Sequence, residues 1–397
     1  MAENKTKPEI RFPGFTGAWE KRKLGEVAVI VMGQSPNSEN YTDNPKDHIL
    51  VQGNADMKNG CVMPRVWTTQ VTKKGEKGDL ILSVRAPVGD VGKTDYPVVL
   101  GRGVAAIRGN EFLYQTLLRM KQTGYWDKLS TGSTFDSINS NDIKESLITI
   151  PGNDEQSRIG EFFYNLDHLI TLHKRKLEHM QKQKTGLLQK MFPKDGADVP
   201  EIRFPGFSGA WEQRKVESIA EQTYGGGTPS TSISEYWTGD IPWIQSSDLI
   251  ENELFGVVPR KHISSKAIAA SATKLIPKNS IAVITRVGVG KLAFMPYSYT
   301  SSQDFLSLSG LSIDEKFAVY SLYKKLQSEL HIVQGTSIKG ITKEELLTKL
   351  IMVPRQTTEQ QQIGNLFSAF DHLITLHQRK LEHLQEQKKG LLQKMFV

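Results

Sequence analysis

A seven-residue apolar repeat runs through two long stretches of the chain. In the first, Phe163, Leu166 and Ile170 begin a row of apolar positions separated by alternating steps of three and four. This period is typical of a coiled-coil seam. It predicts two long helices whose natural partner is each other, packed antiparallel. The predicted coiled-coil interface consists of Phe163, Leu166, Ile170, His173, Leu177, Met180 and Leu187 in the first helix and Phe367, Phe370, Ile374, His377, Leu381, Leu384 and Leu391 in the second.

The two heptad stretches are near copies of one another. The sequence around Asp167 returns around Asp371 (371 − 167 = 204) and stays in step to the end of each helix. Each copy also has two polar residues in the seam, which are His173 and Lys184 in the first. Polar seam positions fix the register and the number of partners at some cost in stability. We therefore interpret them as register markers.

A second repeat precedes each half of the chain. The segment Pro8–Glu20 returns as Pro200–Glu212 (200 − 8 = 192). Its prolines and glycines forbid a helix, so we expect an extended segment that packs its aromatic side chains against the ends of the coiled coil. The repeating unit is therefore the whole half. The predicted division is 1–155 for the first domain with its anchor segment, 156–192 for the first spacer helix, 193–358 for the second anchor segment and domain, and 359–397 for the second spacer helix.

Each half contains a domain of mixed secondary structure. Short apolar runs bounded by Gly, Pro and Asp predict strands at Asp79–Val84 and Val98–Ile107, and similar runs recur in the second half. The fold class is therefore α+β, with two similar mixed α/β domains, two long helices and an internal pseudo-twofold repeat. Landmarks that align the two domains are Gly33-Gln34-Ser35-Pro36 with Gly226-Gly227-Thr228-Pro229, Val51-Gln52 with Ile244-Gln245, Leu80–Arg85 with Ile281–Arg286, and Gly132-Ser133-Thr134 with Gly335-Thr336-Ser337.

Helices are predicted by their start signals. The stretch Glu111–Gln122 has a helical pattern in the first domain. Asn139 with Asp142, and Thr342 with Glu345, have the spacing of a capping box, in which a side chain at each end accepts a backbone N–H of the other. We therefore expect a short helix to begin at each of these pairs.

Composition narrows the class of protein. The formal net charge is +7 and the pI is about 9.1, a weak indication of nucleic-acid binding. The lysines and arginines of the first long helix fit a solvated face and a strip facing phosphate or an acidic partner equally well. The single cysteine, Cys61, excludes a disulfide framework. The polar N-terminus lacks an apolar signal segment, and no apolar run spans a membrane, so we expect a cytoplasmic protein.

Sequence motifs for catalysis and metal binding are incomplete in this chain. Gly92-Lys93-Thr94 ends like a phosphate-binding loop, but Pro87 stands where that loop needs its first glycine. The histidines His168, His173 and His179 are separated by five and six residues, which does not place two ligands on one helical face. We therefore predict neither a catalytic site nor a metal site.

Polar loops follow the predicted strands at matched places in both halves. Gln and Asn can pair with adenine, and Arg with guanine, in the major groove of DNA. Arg85 and Arg286 follow equivalent strands, which strengthens a DNA-binding reading over that of ordinary polar surface loops. The predicted DNA-binding residues are Gln34, Ser35, Gln52, Asn54, Arg65, Arg85, Lys93, Arg102, Thr228, Gln245, Ser246, Ser247, Lys261, Arg286 and Lys291.

These features together resemble the specificity subunit of a type I restriction–modification system. The resemblance rests on the two Arg-Phe-Pro-Gly-Phe anchors and on long helices that both end in Gly-Leu-Leu-Gln-Lys-Met-Phe, at Gly186–Phe192 and Gly390–Phe396. It covers nearly the full chain and is specific in anchors and helices but loose in the domains. It implies that the two domains are target-recognition domains, each reading one half of an asymmetric bipartite site in double-stranded DNA.

The resemblance also implies partners and cofactors. The chain would be non-catalytic and bind no cofactor itself. It would direct two methyltransferase (modification) subunits, which use S-adenosylmethionine, and restriction subunits with ATP-dependent translocase activity, which use ATP and Mg²⁺. The paired helices would dock the methyltransferases and set the unread spacer between half-sites. The alternative is a coiled-coil protein-interaction scaffold that does not bind DNA.

Overall fold

The structure, a computed structural model, describes residues 7–129, 137–332 and 340–397. The matched landmarks at 132–134 and 335–337 lie outside them. In the first half the elements are β1 (Glu20–Lys23), α1 (Leu24–Val27), β2 (Val29–Met32), β3 (Tyr41–Thr42), β4 (His48–Val51), β5 (Met57–Lys58), β6 (Cys61–Val62), β7 (Trp67–Thr68), β8 (Lys74–Gly75), β9 (Leu80–Ser83), β10 (Val91–Lys93), β11 (Val98–Leu100), β12 (Val104–Arg108), α2 (Glu111–Gln122), α3 (Ser140–Glu145), β13 (Leu147–Ile150) and α4 (Asn153–Lys190).

The second half repeats this order with fewer short strands. Both predicted capping boxes are present, at Asn139 with Asp142 and at Thr342 with Glu345. Its elements are β14 (Glu212–Lys215), β15 (Ala220–Gly225), β16 (Ile241–Ile244), β17 (Lys261–Ile263), α5 (Ser265–Ala269), β18 (Ser280–Ile284), β19 (Leu292–Met295), β20 (Thr300–Ser301), β21 (Phe305–Leu311), α6 (Glu315–Ile332), α7 (Lys343–Thr348), β22 (Leu350–Val353) and α8 (Thr357–Met395).

The chain divides into two compact units, and both long helices contribute to each. The first unit is Met1–Lys174 with Arg379–Val397, and the second is Arg175–Gln378. Each unit therefore contains one mixed domain, the beginning of the helix that follows that domain and the end of the other helix. No helix in the described part of the chain has the length and apolarity that a membrane span requires.

The first unit contains two main sheets. One has the strand order β2-β12-β9-β10-β6-β5 and the other β3-β7-β4-β11-β8. Alternate residues of β9 face opposite ways: Leu80 and Leu82 pack in the cluster that includes α2, and Ile81 packs in the cluster between the sheets. The prediction of one strand over Val98–Ile107 is wrong, because this run forms β11 and β12 in different sheets. Glycine permits the break, since a Cβ on Gly103 would lie 2.1 Å from the Gln52 carbonyl oxygen.

The second unit has the same topology in a shorter form. Its sheets have the orders β15-β21-β18-β19 and β17-β16-β20. β21 lies between β15 and β18 as β12 lies between β2 and β9, and β16 pairs in parallel with β20 as β4 pairs with β11. Val283 faces the cluster that contains α6, and Ile284 faces the smaller sheet. The two domains are therefore copies of one fold, as the landmarks predicted.

The long helices pack antiparallel within each unit. In the first unit Phe163 of α4 contacts Phe396 with ring centroids 5.7 Å apart, while the later Asp167 accepts a hydrogen bond from the earlier Lys388 at 2.6 Å. In the second unit Lys184 pairs with Asp371. All predicted interface residues are buried or half-buried, as expected for the seam of a coiled coil.

The seam ion pairs have different neighbours in the two units. Asp167 also accepts a hydrogen bond from Gln115 Nε2 at 2.9 Å, whereas Asp371 accepts one from the Tyr320 hydroxyl at 2.5 Å. Burial, with the nearby Asp371 carboxylate, raises the pKa of the Tyr320 phenol, so the hydroxyl remains a donor. Each seam lysine is therefore paired with an aspartate of the opposite helix, and that aspartate also accepts a hydrogen bond from a residue of the domain.

The anchor segments close one end of each helix pair. In the first unit Trp19, Phe112 and Phe396 form one aromatic cluster, with Phe112 and Phe396 stacked at 5.0 Å. Arg11 binds both carboxylate oxygens of the buried Glu155 at the start of α4, at 2.5 and 2.6 Å. The second unit repeats this arrangement with Trp211, Phe317, Phe192, Arg203 and Glu359.

Candidate nucleic-acid interface

The first unit has a polar cleft at one end of its sheets. Loops that follow the C-terminal ends of β2, β4, β9 and β11 meet there and enclose about 510 Å³. Five of the predicted residues line this cleft, although they are distant in sequence. They are Ser35, Gln52, Asn54, Arg85 and Arg102, joined by Pro36, Ser38, Tyr41, Gly53, Ser83, Ala86 and Gly103.

Gln52 is held in place from both its backbone and its side chain. The buried Asp56 carboxylate accepts hydrogen bonds from the N–H groups of Gln52 at 2.7 Å and Gly53 at 3.3 Å. Arg65 lies 3.2 Å from the same carboxylate. The Gln52 amide Nε2 donates to the Tyr41 hydroxyl at 2.8 Å. This loop therefore presents Gln52 in a defined orientation, with Arg65 as one of its supports.

The cleft also contains two arginines without an internal partner. Arg85 and Arg102 are exposed, and among the described residues no hydrogen bond or ion pair engages either guanidinium. The backbone N–H of Arg102 donates to Ser35 Oγ at 3.1 Å, which ties the loop after β11 to the loop after β2. The cleft thus has two available guanidinium groups beside a fixed glutamine. Gln34, which is exposed, directly precedes Ser35 and does not line the cleft.

The second unit has a larger cleft, which overlaps the place of the first at the strand ends that carry Arg286 and Gln303. It encloses about 920 Å³ and contains the predicted Arg286 after β18. Thr228, also predicted, lies at its edge and donates from Oγ1 to Oε1 of Gln303 at 2.6 Å. Sequence reasoning missed Gln303 and Lys343, which line the cleft, although Gln303 follows β20 as Arg102 follows β11. The correspondence between β11 and β20, on which this match depends, becomes visible only in the sheets.

The predicted serines of the second unit lie outside that cleft lining. Gln245 donates from its backbone N to the buried Asp248 at 2.9 Å and from Nε2 to Ser247 Oγ at 3.0 Å. Ser246 lies between them. Arg260 approaches Asp248 at 3.6 Å as Arg65 approaches Asp56. This loop is built like the Gln52 loop, but it does not border the 920 Å³ cleft.

Three predicted lysines make contacts within the protein. Lys93 pairs with Glu111, and its Nζ lies 4.2 Å from the centre of the Tyr114 ring. Lys291 donates to the Leu249 carbonyl oxygen at 3.2 Å. Lys261 Nζ lies 5.4 Å from the centre of the Trp237 ring and 5.6 Å from that of Trp243. Neither cleft is lined by these lysines, and their part in DNA binding stays a prediction.

Comparison with known proteins assigns the family. The model of the type I restriction modification DNA specificity domain matches residues 17–182 and 209–386. The chain therefore belongs to this family and contains two copies of its domain.

Curated relatives are similar over part of their length. The MjaIX specificity subunit of Methanocaldococcus jannaschii is 32% identical over 195 residues, which cover 47% of this chain and 44% of the relative. The EcoR124I/EcoR124II specificity subunit of Escherichia coli is 30% identical over 185 residues, covering 41% of this chain and 44% of the relative. The chain thus spans less than half the length of these relatives.

Solved structures agree in fold. The S subunit of a type I restriction–modification system from M. genitalium has a TM-score of 0.70 at 15% identity, with 98% of this chain and 99% of that chain covered. A chain from a study of type I R-M complex assembly has a TM-score of 0.53 at 18% identity, with the same coverage of both chains. At these identities the likeness establishes the fold alone.

Proposed function

We propose that this chain is the sequence-specific DNA-recognition subunit of a type I restriction–modification complex. Each unit reads one half of an asymmetric bipartite site in double-stranded DNA. The observation that supports this most strongly is the pair of clefts, which have the same topology but different side chains. Two readers of one design with different surfaces suit a target whose halves differ in sequence.

The chemistry of the clefts supports DNA as the ligand. Arg85, Arg102 and Arg286 are exposed guanidinium groups on concave surfaces, and none has an ionic partner within the described residues. Guanidinium groups bind phosphate and the guanine edge, and glutamine binds the adenine edge. Exposed guanidinium groups without a carboxylate partner leave their N–H donors available for an anionic ligand. DNA provides both the anion and the base edges.

The long helices fit the roles of spacer and docking surface. Outside the seam, Leu169 and Leu172 of α4 are 45% and 53% exposed, and Leu373 and Leu376 of α8 are 44% and 54% exposed. Such matched apolar pairs suit two equal contacts with methyltransferase subunits. The methyltransferases would supply S-adenosylmethionine, and restriction subunits would supply ATP-dependent translocation with Mg²⁺. The chain itself would then be non-catalytic.

Binding to DNA tests the proposal directly. The purified full chain is incubated with a pool of random-sequence duplexes at several salt concentrations, and bound duplexes are sequenced. We expect a two-part motif and an affinity that falls steeply with salt, because phosphate contacts release counterions. Binding without any enriched motif, or no binding at all, would favour the protein-only scaffold.

Single substitutions should separate the two halves of the motif. We expect Arg85→Ala to weaken selection in one half only and Arg286→Ala in the other, each by roughly 1–3 kcal/mol if the residue reads a base. Arg22→Ala, which removes a half-buried arginine of β1 that pairs with Glu26, is the control and should leave the motif intact.

Helix length tests the spacer role. Deleting one heptad from α4 removes about 10 Å of helix, so we expect the unread gap of the motif to shorten. Both half-motifs should persist, because the clefts are untouched. A motif with unchanged spacing would refute the ruler function while leaving DNA recognition in place.

A further inference from the structure

The loops after the two parallel strands β11 and β20 occupy the same place in the two units. In each, the residue that follows the strand donates its backbone N–H to the last residue of the neighbouring parallel strand. The residue after that one lines the cleft. The donors and acceptors are Gly101 with Val51 at 2.7 Å and Ser302 with Ile244 at 2.9 Å, and the residues that follow the donors are Arg102 and Gln303.

A hydroxyl group from the same neighbouring loop ties down both positions. Ser35 Oγ accepts the backbone N–H of Arg102 at 3.1 Å, and Thr228 Oγ1 donates to Oε1 of Gln303 at 2.6 Å. Both Arg102 and Gln303 are exposed at the cleft. The fold therefore brings a different side chain to the same point of each unit, and the neighbouring loop holds the backbone of Arg102 and the side chain of Gln303.

Two other polar positions in the clefts or their adjoining loops carry the same residue in the two units. Arg85 corresponds to Arg286 and Gln52 to Gln245. Residues that are shared cannot by themselves distinguish two different half-sites. Arg102 and Gln303 differ in charge, shape and donor pattern, so the difference between the half-sites can arise at this position.

We infer that this position determines specificity, with Arg102 reading a guanine and Gln303 an adenine. The inference rests on the proposed function and adds the residue and the base to it. Arginine donates two hydrogen bonds to guanine O6 and N7, and glutamine pairs with adenine N6 and N7. Thr228 occupies one of the two lone pairs of Gln303 Oε1, so the other can accept a hydrogen bond from adenine N6. Within the described residues both N–H groups of Nε2 are available, and one can donate to adenine N7.

A reciprocal exchange tests the inference. The full-length wild-type chain, Arg102→Gln, Gln303→Arg and the double variant each select from the same random duplex pool. We expect Arg102→Gln to change guanine to adenine at one position of one half-motif, and Gln303→Arg to make the reverse change in the other half-motif. The double variant should show both changes. Discrimination between the two bases at each position should invert by roughly 5- to 150-fold.

Matched controls make the same chemical changes elsewhere. Arg22→Gln alters a half-buried arginine of β1, and Gln213→Arg alters an exposed glutamine of β14, where the first unit has Lys21. Both controls should retain the wild-type motif.

The outcomes separate the inference from the function on which it rests. A uniform loss of affinity with an unchanged motif would make Arg102 a phosphate contact and overturn the inference, while the proposed function would stand. An unchanged motif at unchanged affinity would overturn it equally. If the wild-type chain enriches no motif, the proposed function itself fails.

Discussion

The two units differ where they would meet a target and agree where they build a scaffold. The anchor of each unit places a tryptophan beside a stacked phenylalanine pair, at 5.0 Å in the first unit and 5.4 Å in the second. The clefts, by contrast, differ in volume and in the residue after the parallel strand. Sequence similarity within one chain thus distinguishes the anchors, which build the same structure in both units, from the clefts, which are free to diverge.

The largest expected effect tests whether the aromatic clusters at the two anchors contribute equally to the free energy of unfolding. Phe112→Ala and Phe317→Ala each empty the same place in an aromatic cluster, and each should cost about 3–5 kcal/mol, because a buried ring is lost and a cavity remains. Hydrogen–deuterium exchange measured peptide by peptide would report the loss in each unit separately. Phe112→Leu and Phe317→Leu, which keep most of the volume, are the controls. Clearly unequal losses would contradict the equivalence of the two scaffolds.

A smaller effect should reveal a difference inside the seam. Lys388→Met and Lys184→Met each leave an aspartate without its ammonium partner, at roughly 1–3 kcal/mol. We expect the greater loss from Lys184→Met, because the Asp371 side chain is 18% exposed and the Asp167 side chain is 30% exposed. Thermal unfolding of the two variants beside Lys182→Met, which alters an exposed lysine of α4, would measure it. Equal losses would contradict the expected effect of the difference in aspartate burial.

The smallest effect concerns the N-terminal caps of α3 and α7. Asn139→Ala and Thr342→Ala remove the two capping side chains, and each should cost about 1 kcal/mol, because backbone N–H groups of the first turn lose their acceptor. Urea unfolding should register this loss, with Asn141→Ala as a neighbouring exposed control. If only one of the two substitutions lowered stability, the helix caps would not be equivalent, and the likeness of the two units would hold only for the sheets and the coiled coil.

Part of the candidate site could be predicted because the chain contains its own alignment. The match of Arg85 with Arg286 identified two equivalent strand ends, and both residues line clefts. Gln303 could not be found in this way, because the correspondence between β11 and β20 becomes visible only in the sheets. Lys93 shows where this approach stops, since Glu111 lies eighteen residues further on and nothing local in the sequence indicates that the two pair.

The sequence by itself determined the elements that show a periodic apolar pattern or occur twice in the chain. The heptad spacing defines a seam along a helix, and two near-identical helices predict each other as partners, so the antiparallel pairing and its interface residues could be predicted. Only the tertiary structure decided which side chains share a cleft. Four loops meet there because strands distant in the chain are neighbours in the sheets, and each cation is either available or engaged according to what lies across from it. Those relations depend on contacts between remote residues, which no local pattern encodes.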